Sequence, residues 1–336
     1  MKKFDKRSLA KLLLAVLTFV VAPSLFAAPK TIRFSNGLPE NHFISEQFAE
    51  WGRLVTQNDS SLKVQIFSSA QLYRDADVTE AIQTGAIESG MIYSIYVARI
   101  APLTRVFDAV GLIDSTDLLA RIVQRQSPIR AKINAQIESK NIKVIAYLIW
   151  SPEEDGFVTT KECRVPADMK GLTVRALNPE TAYLIKSYGS NPTFLSGSEM
   201  YMGLQRGVIQ GTYATVTTSV ERKLYEVAPH ITIAPLSSMV SLIGMNKGYF
   251  DKLTATQQKA ILDAGKTIED KTVACAKANL EGTWKRAADA KIKIYRPTPD
   301  EMKLWTGNQD VQHKEVLKDE PEVLALIEEV KAMKAQ

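Results

Sequence analysis

One arginine, Arg175, stands on a short segment with strand character that ends at Asn178 and Pro179. The segment, residues 169–179, reads MKGLTVRALNP. An arginine in this position can bind a carboxylate through two parallel hydrogen bonds, because its planar guanidinium presents paired N–H groups. The alternative is a surface arginine in a weak salt bridge. The surrounding sequence has to decide between the two.

The motifs of common enzyme classes are absent from the sequence. It contains no GxSxG, HExxH, GxGxxG or Walker motif. Its three histidines, His42, His230 and His313, are not at metal-ligand spacing from one another. We therefore expect neither an enzyme, nor a metal site, nor a cofactor.

The sequence has two cysteines, Cys163 and Cys275. In an oxidising compartment they are able to pair, and a bridge across so many residues would stabilise the fold by about 4 kcal/mol in the chain-entropy model. Two buried thiols are the alternative. No catalytic cysteine pattern surrounds either residue.

The N-terminus has the three parts of a secretory signal peptide. Basic residues come first, an apolar run from Leu12 to Ala22 follows, and small residues surround a cleavage site predicted after Ala27. Residues 1–27 contain five basic residues and Asp5, so their removal lowers the formal net charge from +5 to about +1 (5 − 4). We therefore expect a periplasmic protein.

The mature chain is nearly neutral and has no further apolar stretch near 18 residues. These properties argue against an integral membrane protein and against a nucleic-acid binder. About 309 residues remain (336 − 27), which suffices for two domains.

Short apolar segments with strand character alternate with helical segments, which predicts an α/β protein. Helices are predicted at 45–56 and 78–84. The predicted strands are 31–35, 63–67, 89–94, 142–150, 157–160, 172–177 and 239–246.

Thr254 opens a capping box, and apolar residues then recur at helical spacing without an intervening proline. A helix over 255–289 would be about 50 Å long at about 1.5 Å per residue, longer than one small domain. We expect it to brace two lobes. The alternative is two helices with a break near Gly265 or Gly282.

Two downstream segments carry a resemblance to a known family. Residues 198–211 read SEMYMGLQRGVIQG, and residues 221–227 read ERKLYEV. With MKGLTVRALNP they resemble the extracytoplasmic solute receptors of tripartite ATP-independent periplasmic (TRAP) transporters, the DctP family. The family pattern is filled here by Glu199, Tyr201, Leu204, Gln205, Gly207, Gly211, Tyr225, Glu226 and Val227. The resemblance spans essentially the whole mature chain.

This resemblance implies a two-lobed periplasmic binding protein of type II-like architecture. Each lobe is expected to be a sheet flanked by helices, with the long helix bracing both. The expected lobes are 28–150 with about 240–270, and 151–239 with about 271–336, and the ligand cleft lies between them. As a monomer, the protein is expected to deliver a small carboxylate to the small and large membrane subunits of a transporter. A receptor for a sensor kinase is the alternative.

The resemblance also implies site residues. Arg175 is expected to form a bidentate salt bridge with the ligand carboxylate, and Asn178 to line the cleft. The loops after the first two strands usually contribute to such clefts, so His42, Phe43 and Gln71 are further candidates.

The chain departs from the family pattern in two places. Many members have a second arginine after the strand that ends here at Trp150, whereas this chain has the acidic residues 153–155 nearby. We therefore expect no second cationic clamp, which makes a dicarboxylate less favoured. A ligand-contacting asparagine of the family is replaced here by Tyr213. With Tyr93 and Trp150, it favours a flat or apolar ligand body.

Two ligand classes follow from the acidic residues. If Glu153, Glu154 or Asp155 faces the cleft, it binds a cationic group while Arg175 binds a carboxylate, and the ligand is an amino-acid-like or ectoine-like zwitterion. If the three form a solvated turn, the ligand is a monocarboxylate with an apolar or aromatic body. We expect the second case, because acidic side chains are seldom buried without a partner.

Overall fold

The computed structural model describes residues 28–307 and 309–335. The predicted signal peptide, residues 1–27, lies outside the described residues. Two mixed sheets form the two lobes, with strand orders β2-β1-β3-β10-β4 and β11-β9-β5-β8-β6-β7. The strands are β1 (Lys30–Ser35), β2 (Leu62–Phe67), β3 (Ser89–Tyr93), β4 (Ile142–Ile149), β5 (Asp155–Thr159), β6 (Thr173–Ala176), β7 (Asn191–Phe194), β8 (Gly211–Thr215), β9 (His230–Ile233), β10 (Val240–Asn246) and β11 (Lys293–Tyr295).

Helices cover the sheets, so the predicted α/β class is confirmed. The α-helices are α1 (Phe43–Asn58), α2 (Asp75–Thr84), α3 (Ser94–Val97), α4 (Thr116–Val123), α5 (Pro128–Glu138), α6 (Pro179–Ser187), α7 (Met200–Gln205), α8 (Val216–Glu221), α9 (Lys247–Phe250), α10 (Ala255–Asp289), α11 (Pro299–Thr306), α12 (Gln309–Val316) and α13 (Pro321–Lys334). Short 3₁₀ helices occur at Pro102–Asp108, Pro152–Glu154, Pro166–Met169, Gly197–Glu199 and Leu224–Glu226.

In the first sheet, strands β1 to β4 all run in one direction, because β1 pairs in parallel with β2 and β3 while β10 is antiparallel to both β3 and β4. Their carboxyl ends therefore share one edge of the sheet. Below this edge lies a core that includes Phe34, Phe48 and Trp51. Carboxyl ends of parallel strands are where open α/β sheets bind ligands.

The second sheet directs its strand ends to one edge in the same way. Strands β6, β7 and β8 are parallel, and β5 is antiparallel to β8. The first residue of β5, Asp155, consequently pairs with the last residue of β8, Thr215. The start of β5 thus lies beside the ends of β6 and β8.

Helix α10 has the bounds that the sequence predicts, Ala255–Asp289, and no break at Gly265 or Gly282. Its capping box is present, with Thr254 accepting a hydrogen bond from the Gln257 backbone N–H. Gly265 belongs to the packing of the helix on β4: a Cβ there would lie 2.7 Å from the Ile145 Cγ2 and 2.9 Å from the Ile145 carbonyl oxygen.

Helix α10 contacts both lobes, as expected. On the first, the Ile149 backbone N–H donates to the Thr272 hydroxyl at 3.0 Å. On the second, the Asn279 amide donates to the Thr217 hydroxyl at 2.9 Å. One uninterrupted helix therefore connects the lobes.

The C-terminal helix corrects the expected division of the chain, which assigned residues 271–336 to the second lobe. Val323, Leu326, Ile327 and Val330 of α13 are buried in the same core cluster as Ile129 of α5, in the first lobe. Trp305 of α11, in contrast, packs in a core of the second lobe with Phe157. The apolar face of α13 packs on the first lobe, whereas Gln312 of α12 still donates to the Glu180 carbonyl oxygen in the second lobe, so the chain crosses back after α12.

Candidate functional site

The facing edges of the two sheets enclose a cavity of about 790 Å³, part of which is open to solvent. From the first lobe, His42, Asp75, Tyr93 and Trp150 line it, each at or after the carboxyl end of a different parallel strand. From the second lobe, the lining includes Asp155, Arg175, Tyr213, Glu221 and Arg222. The topology thus brings together most of the predicted site residues.

Arg175 lies on β6 and is only 3% exposed. Its Nε donates to the Leu195 carbonyl oxygen at 2.8 Å, and its Nη1 lies 3.5 Å from the Met200 sulfur. In the described residues no carboxylate lies within 4 Å of its guanidinium. Burial lowers the pKa of the Arg175 guanidinium. The terminal N–H groups of this buried guanidinium therefore remain available to bind an anion.

A second arginine, Arg222, lines the same cavity just after α8, at a position that the sequence did not single out. Over the part of the chain that the structure describes, its guanidinium has no ion pair within 4 Å. Arg222 and Arg175 are close enough that each lowers the pKa of nearby groups, and Arg222 lowers that of Arg175 itself. The cavity therefore contains a second guanidinium, although no arginine follows Trp150 directly in the sequence.

Asp75, the first residue of α2, faces the two arginines from the first lobe. Its carboxylate occupies the notch left by Gly37, where a Cβ would lie 1.4 Å from Oδ1. Burial raises the pKa of Asp75, and Arg222 and Arg175 oppose this shift. Gly37 is therefore required for the carboxylate to reach the cavity wall.

Aromatic side chains form much of the remaining wall, as predicted. Trp150 is packed by His42 and Tyr93, with ring centroids 4.8 and 6.3 Å away, and its indole N–H donates to the Ser241 hydroxyl at 2.8 Å. The Tyr213 hydroxyl donates to the Ala234 carbonyl oxygen at 2.9 Å. Because these polar atoms are engaged, the rings present apolar surface to the cavity.

The three acidic residues after Trp150 do not form the expected solvated turn, because Glu154 and Asp155 are buried, and their side chains point in different directions. Asp155 lines the cavity, and its carboxylate has no hydrogen bond within the described ranges. Burial raises the pKa of Asp155 well above its ordinary value, and Glu154 and Glu153 add to the shift. Glu154 accepts hydrogen bonds from the Thr217 N–H and hydroxyl, both at 2.7 Å. The predicted site residue Glu153 lies elsewhere, because it caps α4 by accepting from the Thr116 N–H at 3.1 Å.

A further acid that the sequence did not single out, Asp108, also lines the cavity. It is 2% exposed, and the Ser237 hydroxyl lies 3.3 Å from its Oδ1. Burial raises the pKa of Asp108 well above its ordinary value, and Glu180 adds to the shift. Asn178 lies behind the wall rather than on it: it is the N-cap of α6, and its side chain accepts from the Thr181 N–H at 2.9 Å.

Two more predicted residues, in addition to Glu153 and Asn178, do not line the cavity. Gln71 is exposed, and Asp75, four residues later, takes the place expected for it. Phe43 lies on the outer side of the wall, in a groove that also contains Cys275, and stacks on His42 with centroids 5.0 Å apart. It supports the wall from behind.

Of the two alternatives for the cysteines, the structure has the unpaired one, since among residues 28–307 and 309–335 both Cys163 and Cys275 are free thiols. Cys163 is packed in a core of the second lobe, while Cys275 is partly exposed on α10. Their positions in separate surroundings explain why they do not pair.

The described ranges contain no group of three or more histidine, cysteine or acidic residues placed to hold a metal ion. They also contain no helix with the length and apolar character needed to span a membrane.

Comparison with known proteins gives a match to the family of bacterial extracellular solute-binding proteins, family 7 (DctP), over residues 34–320. The chain belongs to this family. A solute-binding protein of Verminephrobacter eiseniae is 27% identical over 268 residues, which is 78% of either chain. The predicted relationship to TRAP transporter receptors is therefore confirmed.

Solved structures of such receptors share the fold. A TRAP periplasmic solute-binding protein from Sulfitobacter sp. NAS-14.1, with bound β-D-galacturonate, superposes with a TM-score of 0.83 at 21% identity, over 89% of this chain and 98% of that chain. A marine metagenome TRAP solute-binding protein specific for pyroglutamate has a TM-score of 0.84 at 19% identity, over 91% and 99%. The predicted two-lobed α/β fold of this TRAP receptor is thereby confirmed.

Proposed function

We propose that this receptor captures a small organic carboxylate in the cavity between its lobes, with the carboxylate bound to the free edge of Arg175. The observation that carries the proposal is a guanidinium only 3% exposed that faces the cavity and has no carboxylate partner among the described residues. Burying a charge without a partner is unfavourable, so an anionic ligand group would satisfy this arginine.

The two fold neighbours support an acidic ligand, since the galacturonate and pyroglutamate that they bind each carry one carboxylate. The residues of the cavity wall indicate the character of the ligand body. The rings of Trp150, Tyr93 and Tyr213 offer apolar faces to the body of a ligand. Asp155 faces the cavity, but burial raises its pKa well above its ordinary value, so the protonated side chain needs no cationic partner, and we favour a monocarboxylate with an apolar or aromatic body.

A zwitterion is the second candidate, and Asp155 is the observation that favours it. Its buried carboxylate lines the cavity at the start of β5 and has no hydrogen-bond partner in the described part of the chain. A cationic group of the ligand placed there would provide a partner and keep the carboxylate ionised. Asp155 to asparagine would then remove binding of the zwitterion, but not of a monocarboxylate.

Transport follows from closure of the lobes around the ligand. Ligand contacts that exist only in the closed arrangement shift the population toward it. The closed receptor is then the form that the membrane subunits of the transporter recognise and from which they accept the solute.

A thermal-shift screen tests the proposal. The mature protein is unfolded and refolded to remove carried-over ligand, then mixed with benzoate, 2-oxoisovalerate, pyroglutamate, D-galacturonate, succinate, proline or ectoine. Ligand binding raises Tm by mass action. We expect an increase with at least one acid in the wild type and in the exposed-arginine control Arg206→Gln, but none in Arg175→Met. Failure of every acid to stabilise the wild type would overturn the proposed function.

A further inference from the structure

His42 and Glu221 face each other across the cleft. His42 follows β1 in the first lobe, and Glu221 is the last residue of α8 in the second lobe. The His42 Nε2 lies 3.3 Å from the Glu221 Oε2. Both side chains line the cavity, and Glu221 also lines the outer groove that contains Phe43. The pair therefore forms part of the partition between the cavity and the outside.

The histidine ring is fixed with its Nε2 edge beside the carboxylate. The Ile44 backbone N–H donates to the His42 Nδ1 at 3.1 Å, so the neutral ring carries its hydrogen on Nε2. Phe43 and Trp150 pack on the ring, with centroids 5.0 and 4.8 Å away. The Nε2 and the Oε2 atoms are both buried and have no hydrogen-bond partner among the described residues, and the 3.3 Å contact places each beside the other.

We propose that His42 and Glu221 form a latch, a hydrogen bond between the lobes that closes the cavity wall and helps to set the affinity of the receptor. The latch is not paired with Arg175, and His42 packs against Trp150 of the cavity wall, so we treat the latch as a positioning contact for closure. It rests on the proposed function, because closure around a ligand is what brings the two lobes together.

The two groups hold their protons differently in the closed receptor than in water. Burial lowers the pKa of His42 from 6.5 to about 3, and Arg222 and Arg286 add to the shift. Burial raises the pKa of Glu221 from 4.5 to about 7. The charged groups that face the pair are Arg222 at the end of α8, Arg286 on α10, Glu46 on α1 and Glu154 before β5.

Opening exposes both groups to water and returns their pKa values toward the ordinary ones. Between pH 4.5 and 6.5, closing therefore removes a proton from His42 and adds one to Glu221, with no net exchange with solvent. Lower pH disfavours closure because His42 must lose its proton, and higher pH disfavours closure because Glu221 must gain one. In the intact latch the two effects cancel over this range.

Single substitutions separate the two effects. Asparagine at position 42 keeps a helix-capping oxygen but does not titrate, and glutamine at position 221 keeps an acceptor oxygen. At each pH the Kd of a variant is divided by the Kd of wild type. Between pH 4.5 and 6.5 this ratio should rise with pH by up to tenfold per unit for His42→Asn. For Glu221→Gln it should fall by up to tenfold per unit over the same range. The ratio for the double variant should be nearly independent of pH.

The measurement is calorimetric titration between pH 4.5 and 7.5 with whichever acid of the seven-compound screen gives the largest increase in Tm. His230→Asn and Glu226→Gln are matched controls on the surface of the second lobe, and their Kd ratios should not change with pH. Opposite slopes for the two latch variants support the proposal. Parallel or flat ratios overturn the latch but leave Arg175 as the anchor, whereas the absence of any binder overturns the proposed function and the latch with it.

Discussion

Replacement of Arg175 by methionine should lower the affinity for ligand without lowering the stability of the ligand-free protein. Methionine has a similar length and removes the charge without leaving a large cavity. Two terms of opposite sign then act on the ligand-free fold. Loss of the Nε hydrogen bond leaves the Leu195 carbonyl oxygen buried without its partner, at a cost of about 1–3 kcal/mol. Removal of a buried charge that has no carboxylate partner in the described residues is favourable by a similar or larger amount.

The effect on binding has only one sign. The ligand carboxylate loses water on closure and no longer meets a cation, and truncation of one partner of a buried charge pair costs about 2–5 kcal/mol. This corresponds to a Kd about 30- to 5,000-fold higher. We therefore expect ligand-free Arg175→Met to unfold at a urea concentration close to that of wild type or above it, while its affinity collapses.

The assay combines urea unfolding of the ligand-free protein with calorimetric titration of the acid found in the screen. Arg175→Lys is the informative control, because lysine keeps the charge and loses the paired N–H geometry, so its affinity should lie between those of the other two proteins. A Kd for Arg175→Met within threefold of wild type would refute the role of Arg175. A large loss of ligand-free stability would instead refute the view that its charge is unfavourable there.

Four further predictions concern other parts of the molecule. Arg222→Gln should weaken binding by about tenfold or less, since Arg222 is partly exposed and its field is screened, and a loss as large as that of Arg175→Met in calorimetry would contradict this ranking. Gly265→Ala should destabilise the protein by about 1–3 kcal/mol in urea unfolding because its Cβ meets Ile145, whereas Gly282→Ala, whose nearest neighbour is the flexible Arg286 side chain, should be neutral or stabilising. Burial raises the pKa of Glu154 to about 7, so the stability that the protonated side chain contributes is present below pH 4.5 and is lost as pH rises through 7. Glutamine does not titrate and keeps its contribution. The unfolding free energy of Glu154→Gln relative to wild type should therefore rise by up to about 3 kcal/mol between pH 4.5 and 8. Iodoacetamide should label Cys275 in the folded protein and Cys163 only after unfolding, and an intact mass without label on either would show a disulfide.

The elements that could be predicted from sequence are those with a strong local signal. Helix α10 has a capping box and a long uninterrupted pattern, and both of its predicted ends are correct. Strands β3 and β4 are apolar runs that are buried within the sheet, and β1 and β2 alternate apolar and polar residues. Strand β8, GTYAT, was not predicted because it has no apolar run, and it becomes a strand through its pairing with β5 and β6 on either side.

The site was only partly predictable because its contacts are not local. Arg175 lies in the cavity, as the sequence indicated. Asp75 reaches the wall through the notch at Gly37, a contact that spacing along the chain does not reveal. Glu221 and Arg222 stand next to each other in ERKLYEV, but only the placement of α8 shows that both face the cleft. The signal that the sequence offered for these two residues was a pair of adjacent opposite charges at a helix end.

Helix α8 owes its placement to α10. The Thr217 hydroxyl at the start of α8 bonds to Glu154 at 2.7 Å, to Thr283 at 2.7 Å and to Asn279 at 2.9 Å. The last two belong to α10, so this helix fixes the wall that carries Glu221 and Arg222. On the first lobe, α10 is held at Thr272.

The stretch of α10 from Thr272 to Asn279 therefore lies between its attachments to the two lobes, and it is only about 10 Å long at about 1.5 Å per residue. Movement of one lobe relative to the other has to be absorbed along the helix there. Cys275 lies within this stretch and lines the outer groove beside Glu221. Its rate of alkylation should consequently differ between the ligand-free and ligand-bound receptor, and equal rates would place the bending of the molecule elsewhere, in the strand crossings after Trp150 and before Val240.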